Sequence, residues 1–186
     1  MLLGVVEMIC RLFGVVGLIS ACAAQAAPDS ETYAKVGDWE ITAIGPGQCT
    51  MVRFYPGSAA NEDEGLIVQY DTPRKEVALT WVSRKPKIPP LGASLDLDLA
   101  FFEGSSTDET WDSQVFKTEK RADSYGFSHV FAGPSDGDRF LRDLAAHDTF
   151  AIFLGPVLMT GLPLDASNAV TKLRECALKM VDDKSE

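Results

Sequence analysis

The chain is poor in the residues on which most hydrolases and metalloproteins rely. It has two histidines and four cysteines in 186 residues. No G-x-S-x-G elbow occurs, so the usual mark of an α/β-hydrolase nucleophile is missing. No segment spaces Asp and Asn positions toward a closing Glu as a calcium loop does. A zinc site would want more thiols or neighbouring histidines than the chain offers. No apolar run reaches the roughly 20 residues of a transmembrane helix. There is no internal repeat and no long linker. Cations are also scarce: 17 Lys and Arg face 27 Asp and Glu, a net charge of -10. Such a surface is repelled by phosphate backbones, which argues against general nucleic-acid binding and favours solubility.

What is present begins with an export signal. Residues 12–21 (LFGVVGLISA) form a short apolar core behind Arg11, followed by small residues and then APDSE. A positive flank, a short apolar run and a small-residue exit make a secretory signal. Two cuts compete. Ala24-Gln25-Ala26 would release a soluble protein starting at Ala27, and Ile19-Ser20-Ala21-Cys22 resembles a bacterial lipobox that would lipidate Cys22. The later cut extends the apolar run naturally and is the one adopted. Residues 1–26 are then the signal peptide and 27–186 a single exported domain, long enough for a real core. Glu7 and Arg11 leave together, so the charge is unchanged.

Cys10 and Cys22 fall in the leader, which leaves Cys49 and Cys176. Two cysteines in an oxidising compartment usually pair. The bridge would tie the first hairpin to the last helix and stabilise the fold by about 4 to 5 kcal/mol in the chain-entropy account.

Residues 38–55 read as a hairpin, WEITAI and CTMVRFY around the turn GPGQ. LIVQYDT and EVALTWVSR flank a second turn at 73–75. SRKPKIPPLG is a Pro-rich connection that cannot be a central strand. In SLDLDLAFF, Leu95, Leu97, Leu99 and Phe101 share one face and Asp96 and Asp98 the other, as in a sheet with one wet side. A polar turn is expected over 103–110, then strands in WDSQVFKTEK and SYGFSHVFAG. Residues 138–146 change to helical period with Asp138 as N-cap. TFAIFLGP and VLMTGLPL return to strand character. A terminal helix follows, capped by Asp165 or Ser167, with Val170, Leu173, Cys176, Ala177 and Met180 on its inner face. Eight or nine strands in hairpin order predict an antiparallel β-sandwich or barrel-like sheet with one short helix and a C-terminal helix.

Two segments carry a resemblance. Gly37-Asp38-Trp39-Glu40-Ile41 leading to Gly47-Gln48-Cys49, and Leu162 to Cys176 (LPLDASNAVTKLREC), resemble the opening hairpin and the closing strand and helix of invasion-associated locus B-type proteins of alphaproteobacteria. The likeness covers the two ends of the domain. It implies an exported, mostly β, non-enzymatic protein of the cell envelope with a role in host association, and supplies no catalytic residue.

The remaining polar groups have ordinary explanations. Ser128 and His129 are adjacent on a strand and point apart, so they form no catalytic pair by themselves. His147 follows the short helix, where it favours the helix C-terminus. Asp96 and Asp98, joined by Asp136 and Asp138 or by Asn61, Glu62, Asp63 and Glu64, could offer oxygens to calcium or paired carboxylates to a glycosidase. A solvated face and Asx turns explain them equally. Arg84, Lys85 and Lys87 form the one basic cluster, a charged connection guarding a sheet edge or, were Cys22 lipidated, a contact to an anionic envelope surface. Trp39, Trp81 and Trp111 sit in strands as core or rim residues. Phe127 and Phe131 could line a groove or the core.

The expectation is a non-catalytic periplasmic or secreted protein. It needs no cofactor or metal and binds an unknown protein or envelope partner, not nucleic acid. A metal-dependent or carboxylate-based hydrolase, using the carboxylates or His129, is one alternative; an outer-membrane lipoprotein anchored through Cys22 is another.

Overall fold

The computed structural model describes residues 31–56, 64–84, 94–121 and 123–182. Residues 1–30, which include Cys22, and Asn61, Glu62, Asp63, Lys85 and Lys87 lie outside them. The described residues form ten strands and two helices. β1 (Glu31–Val36), β2 (Trp39–Gly45), β3 (Gln48–Tyr55), β4 (Glu64–Asp71) and β5 (Glu76–Ser83) are followed by β6 (Ser94–Glu103), β7 (Ser106–Arg121) and β8 (Ser124–Phe131). Helix α1 (Pro134–Ala146), β9 (Thr149–Leu154), β10 (Val157–Pro163) and helix α2 (Ser167–Asp182) complete the chain. Every strand pairing is antiparallel.

The strands make one sheet in the order β1-β2-β3-β4-β5-β8-β7-β6-β9-β10, with β1 and β10 as its edges. The mainly antiparallel sheet with a mid-chain and a C-terminal helix is therefore the expected architecture, left unclosed. β5 shows why such segments become strands: its residues alternate between half-buried and buried along its whole length, placing Val77, Leu79, Trp81 and Ser83 inward. The first meander turns tightly at Gly47, whose φ is 66°. A Cβ there would stand 2.7 Å from Cδ of Pro73. That closeness arises because the Gly47 carbonyl accepts the Thr72 N–H at 2.9 Å, docking one turn on the next.

β7 makes the corner. Its last residues, Lys117 to Arg121, pair with β8, while Ser106 to Lys117 pair with β6. Trp111 and Phe116 are an odd five residues apart, yet both are buried. Strict alternation forbids that; the register shift between Leu97 and Leu99 allows it by setting three residues of β7 against two of β6. A bulged strand that changes partners lets one sheet fold into two facing walls. Contacts across the fold show the result. Thr160 of β10 donates to Glu64 of β4. Trp39 and Arg53 both donate to the Leu164 carbonyl just past β10, at 3.0 and 2.5 Å.

Four features differ from the sequence expectation. β1 was not expected. The polar turn at 103–110 shrinks to residues 104–105, because backbone pairing with β6 tolerates any side chain that can face water. α1 starts at Pro134 and is capped by Gly133 without a side-chain bond; proline has no N–H to satisfy there and its φ already suits a helix. Asp138 is thus no cap but pairs with Arg174 of α2 at 2.8 Å. Neither Asp165 nor Ser167 takes the first carbonyl position of α2, which belongs to Ala166, acceptor of the Val170 N–H at 2.8 Å.

The core centres on Phe140 of α1, stacked on Phe131 at 4.4 Å and edge-on to Phe101, Trp111 and Phe150. Phe127 stacks on Trp81 at 4.7 Å. All three tryptophans, Phe127 and Phe131 are buried, so the two phenylalanines line no groove. Cys49 of β3 and Cys176 of α2 are placed as a disulfide within this core, with Cα atoms 6.2 Å apart, inside the range a bridge requires.

Candidate interaction surface

The residues singled out as candidates for chemistry are dispersed. His129 lies on the inner side of β8 between Phe116 and Phe131, and its Nδ1 meets the Val115 carbonyl at 3.0 Å. That bond fills a gap where β7 leaves β8. Ser128 points the other way and shares a hydrogen bond with Thr80 at 3.0 Å. Asp98 accepts from Ser113, Asp136 from Ser135, and Asp138 pairs with Arg174. Glu64 is buried against Thr160, and Arg84 is exposed at the end of β5. Among the described residues, no group of three or more His, Cys, Asp or Glu could hold a metal ion.

The second histidine belongs to a network around Asp143. The Trp111 indole donates to the buried Asp143 carboxylate at 3.0 Å. Arg139 lies 4.3 Å over the Trp111 ring and pairs with Glu109, a half-exposed cation–π contact. His147 takes the Asp143 carbonyl at 2.7 Å and Asp108 at 3.0 Å. Its side chain is only 8% exposed. Burial opposes the imidazolium, but the Asp143 carbonyl and Asp108 outweigh it, and the pKa rises above the ordinary 6.5. A raised folded pKa gives stability that is complete below the unfolded pKa and is lost as pH climbs through the folded one. His147→Gln is accordingly expected to destabilise the protein at pH 6, with the difference from wild type shrinking as pH rises past 6.5. Denaturant midpoints at a series of pH values read this; a gap independent of pH would reject it.

Inside the fold, burial pushes the Tyr55 phenol up to about 12, against the opposing charge of Arg53. It stays protonated at any working pH. Trp81 Nε1 and Thr118 Oγ1 are buried without a hydrogen-bond partner among the described residues.

The surface of the second wall is unlike the rest. Residues 94–116 and 147–166, which build β6, the first part of β7, β9 and β10, contain eight Asp and Glu and no Lys or Arg. Across its outer side, register aligns Thr110, Ala100, Ala151 and Gly161 on four neighbouring strands. Phe102 stands on one side of this row of small residues and Phe153 on the other. Asp98, Ala100, Phe102, Thr110 and Phe153, with Gly155 of the turn after β9, line a groove of about 380 Å³. The row ends at β10.

The two sheet edges contrast sharply. β1 is guarded by charge: Lys35 pairs with Glu40 at 3.3 Å, and Lys179 of α2 lies over Tyr33. β10 carries no charged residue and, among the described residues, pairs with a strand on one side only, that of β9. The hairpin leading into it exposes Leu154, Val157 and Leu158 to 36%, 56% and 57%. Natural sheets normally protect an edge with Lys, Pro or a bulge. Only the register shift between Leu158 and Thr160 and the terminal Pro163 do so here.

The sequence reading missed this surface because it searched for residues that do chemistry. The available signal was negative: two long stretches without a cation. No protein-family model, no curated protein and no solved structure matches the chain. None of its helices among the described residues is long and apolar enough to cross a membrane.

Proposed function

We propose that this is a non-catalytic exported protein of the bacterial envelope that works by binding a protein partner along β10. The observation that carries the reading is the uncharged, unpaired β10 edge, flanked by three exposed aliphatic residues in an otherwise strongly charged protein. An open edge is a ready template for a further strand. Three features agree with it. Both histidines are engaged in holding backbone carbonyls. The leader and the Cys49–Cys176 pair suit an oxidising compartment. The likeness of residues 37–49 and 162–176 to invasion-associated locus B-type proteins points the same way.

The test is site-specific photo-crosslinking in the producing cells. A photoreactive residue at Leu158 is expected to give discrete protein adducts. The same residue at Val130, which is also exposed and apolar but lies on the first wall, is expected to give none. Equal adducts at both positions, or none at Leu158, would overturn the reading.

A further inference from the structure

The connection between α1 and β9, residues 147 and 148, holds the tip of the β6–β7 hairpin. The Asp148 N–H donates to the Phe102 carbonyl at 3.0 Å, and the Asp148 carboxylate accepts the Gly104 N–H at 3.3 Å. These bonds fix the β6 arm and the turn. The β7 arm is held through Asp108, whose carboxylate meets His147 Nε2 at 3.0 Å. Residues 103–108 are all exposed, so no buried apolar side chain anchors them. The register of β7 on β6 slips between Phe101 and Phe102, which face Glu109 and Thr107, so Asp108 is an extra residue with no partner across the ladder. Beyond that bulge only Ser106 and Thr107 still pair with β6. Arg139 grips the residues on its other side, pairing with Glu109 and donating to the Thr110 carbonyl at 3.3 Å.

Both nitrogens of His147 face acceptors, Nδ1 the Asp143 carbonyl at 2.7 Å and Nε2 the Asp108 carboxylate. A neutral imidazole has one N–H, so only the imidazolium can donate to both. The Asp143 carbonyl is fixed in the last turn of α1, whereas the Asp108 side chain is 59% exposed and can turn to water. The proton left after deprotonation therefore stays on Nδ1, and the Nε2 lone pair repels the carboxylate. The other charges of this cluster are Glu109 on β7, Arg139, Arg142 and Asp143 on α1, and Asp148. The Asp143 carboxylate is taken up by Trp111, Arg139 and Arg142, and β6 offers His147 only the Phe101 ring at 5.5 Å.

We propose that His147 and Asp108 form a proton-operated clasp, which keeps the β6–β7 tip closed while the imidazole is protonated and releases it when the proton is lost. Phe102 and Thr107 at the base of this tip line the outer groove of the second wall, so release also opens that end of the groove. The clasp is independent of β10 and of any partner there.

The experiment measures backbone order parameters by NMR relaxation on the disulfide-bonded protein, as processed by its own cells, from about pH 5.5 to about pH 9. Those of residues 104–108 are expected to fall from about 0.85 to below about 0.6. The midpoint should coincide with the ring titration of His147, above its ordinary 6.5, and β5 should stay rigid throughout. Asp108→Asn is expected to abolish the transition and leave the tip ordered at every pH, because an amide can accept from the imidazolium or donate to the neutral ring. His147→Gln should also abolish the transition, and if that variant fails to fold, Asp108→Asn at its exposed position decides alone. The proposal is overturned if the wild-type tip shows no transition, if the transition persists in either variant, or if β5 loosens in step with the tip.

Discussion

Breaking the Cys49–Cys176 bridge, by reduction or by the double alanine variant, should lower the unfolding free energy by about 4 to 5 kcal/mol. The size follows from the loop. The two residues are 127 positions apart, so the cross-link encloses most of the described domain and strongly restricts the unfolded chain. A domain of this length has about 5 to 15 kcal/mol in total, so losing the bridge removes a third or more of it. The geometry also says where the loss is felt. Cys49 sits on β3, and Cys176 belongs to the face of α2 that buries Ala169, Leu173 and Ala177. Without the staple, that helix is held by packing and by surface contacts such as Arg174–Asp138 and Lys179–Tyr33. Urea titrations with and without reductant measure the difference, and coincident midpoints would remove the argument. Both sulfurs are fully buried, so thiol alkylation has to be done in denaturant. Protein from its own cells should then begin at Ala27, and Cys49 and Cys176 should take up label only after reduction.

The next largest effect is expected at Phe140. Its ring meets Phe131, Phe101, Trp111 and Phe150, and so joins α1 to both walls of the folded sheet. Phe140→Ala removes a fully buried ring from the centre of an aromatic cluster and should cost about 3 to 5 kcal/mol. The upper end is expected, since neighbours on two separate walls cannot both collapse into one void. A suitable control is Leu178→Ala on the exposed face of α2, which should stay within about 0.5 kcal/mol of wild type. Denaturant midpoints of the two variants provide the comparison. A Phe140→Ala loss no larger than the control would mean that α1 is not part of the cooperative core.

Most strands were legible because their side chains alternate. β5 and β6 present inward and outward rows that no helix could reproduce, and the apolar positions 170, 173, 176, 177 and 180 marked α2. What escaped was structure held by the backbone. The start of β7 is polar and exposed, and it is a strand because β6 lies beside it. β1 is short and carries charge at both ends. The N-terminus of α1 has no capping side chain to read.

The same division holds for the candidate site. Composition alone settles the acidic balance, the scarcity of histidine and the cation-free stretches at 94–116 and 147–166, because these are counts along the chain. The alternating and helical periods, likewise local, determine that the protein is mainly β with a terminal helix. Only the tertiary structure decides that β9 pairs with β6 and not with its sequence neighbour β8. That choice leaves β10 as the edge, and it brings two cation-free segments, separated in sequence by the end of β7, β8 and α1, onto one wall. Strand order depends on which surfaces bury together after the β7 bulge turns the corner. That is a long-range packing balance, and no window of residues contains it.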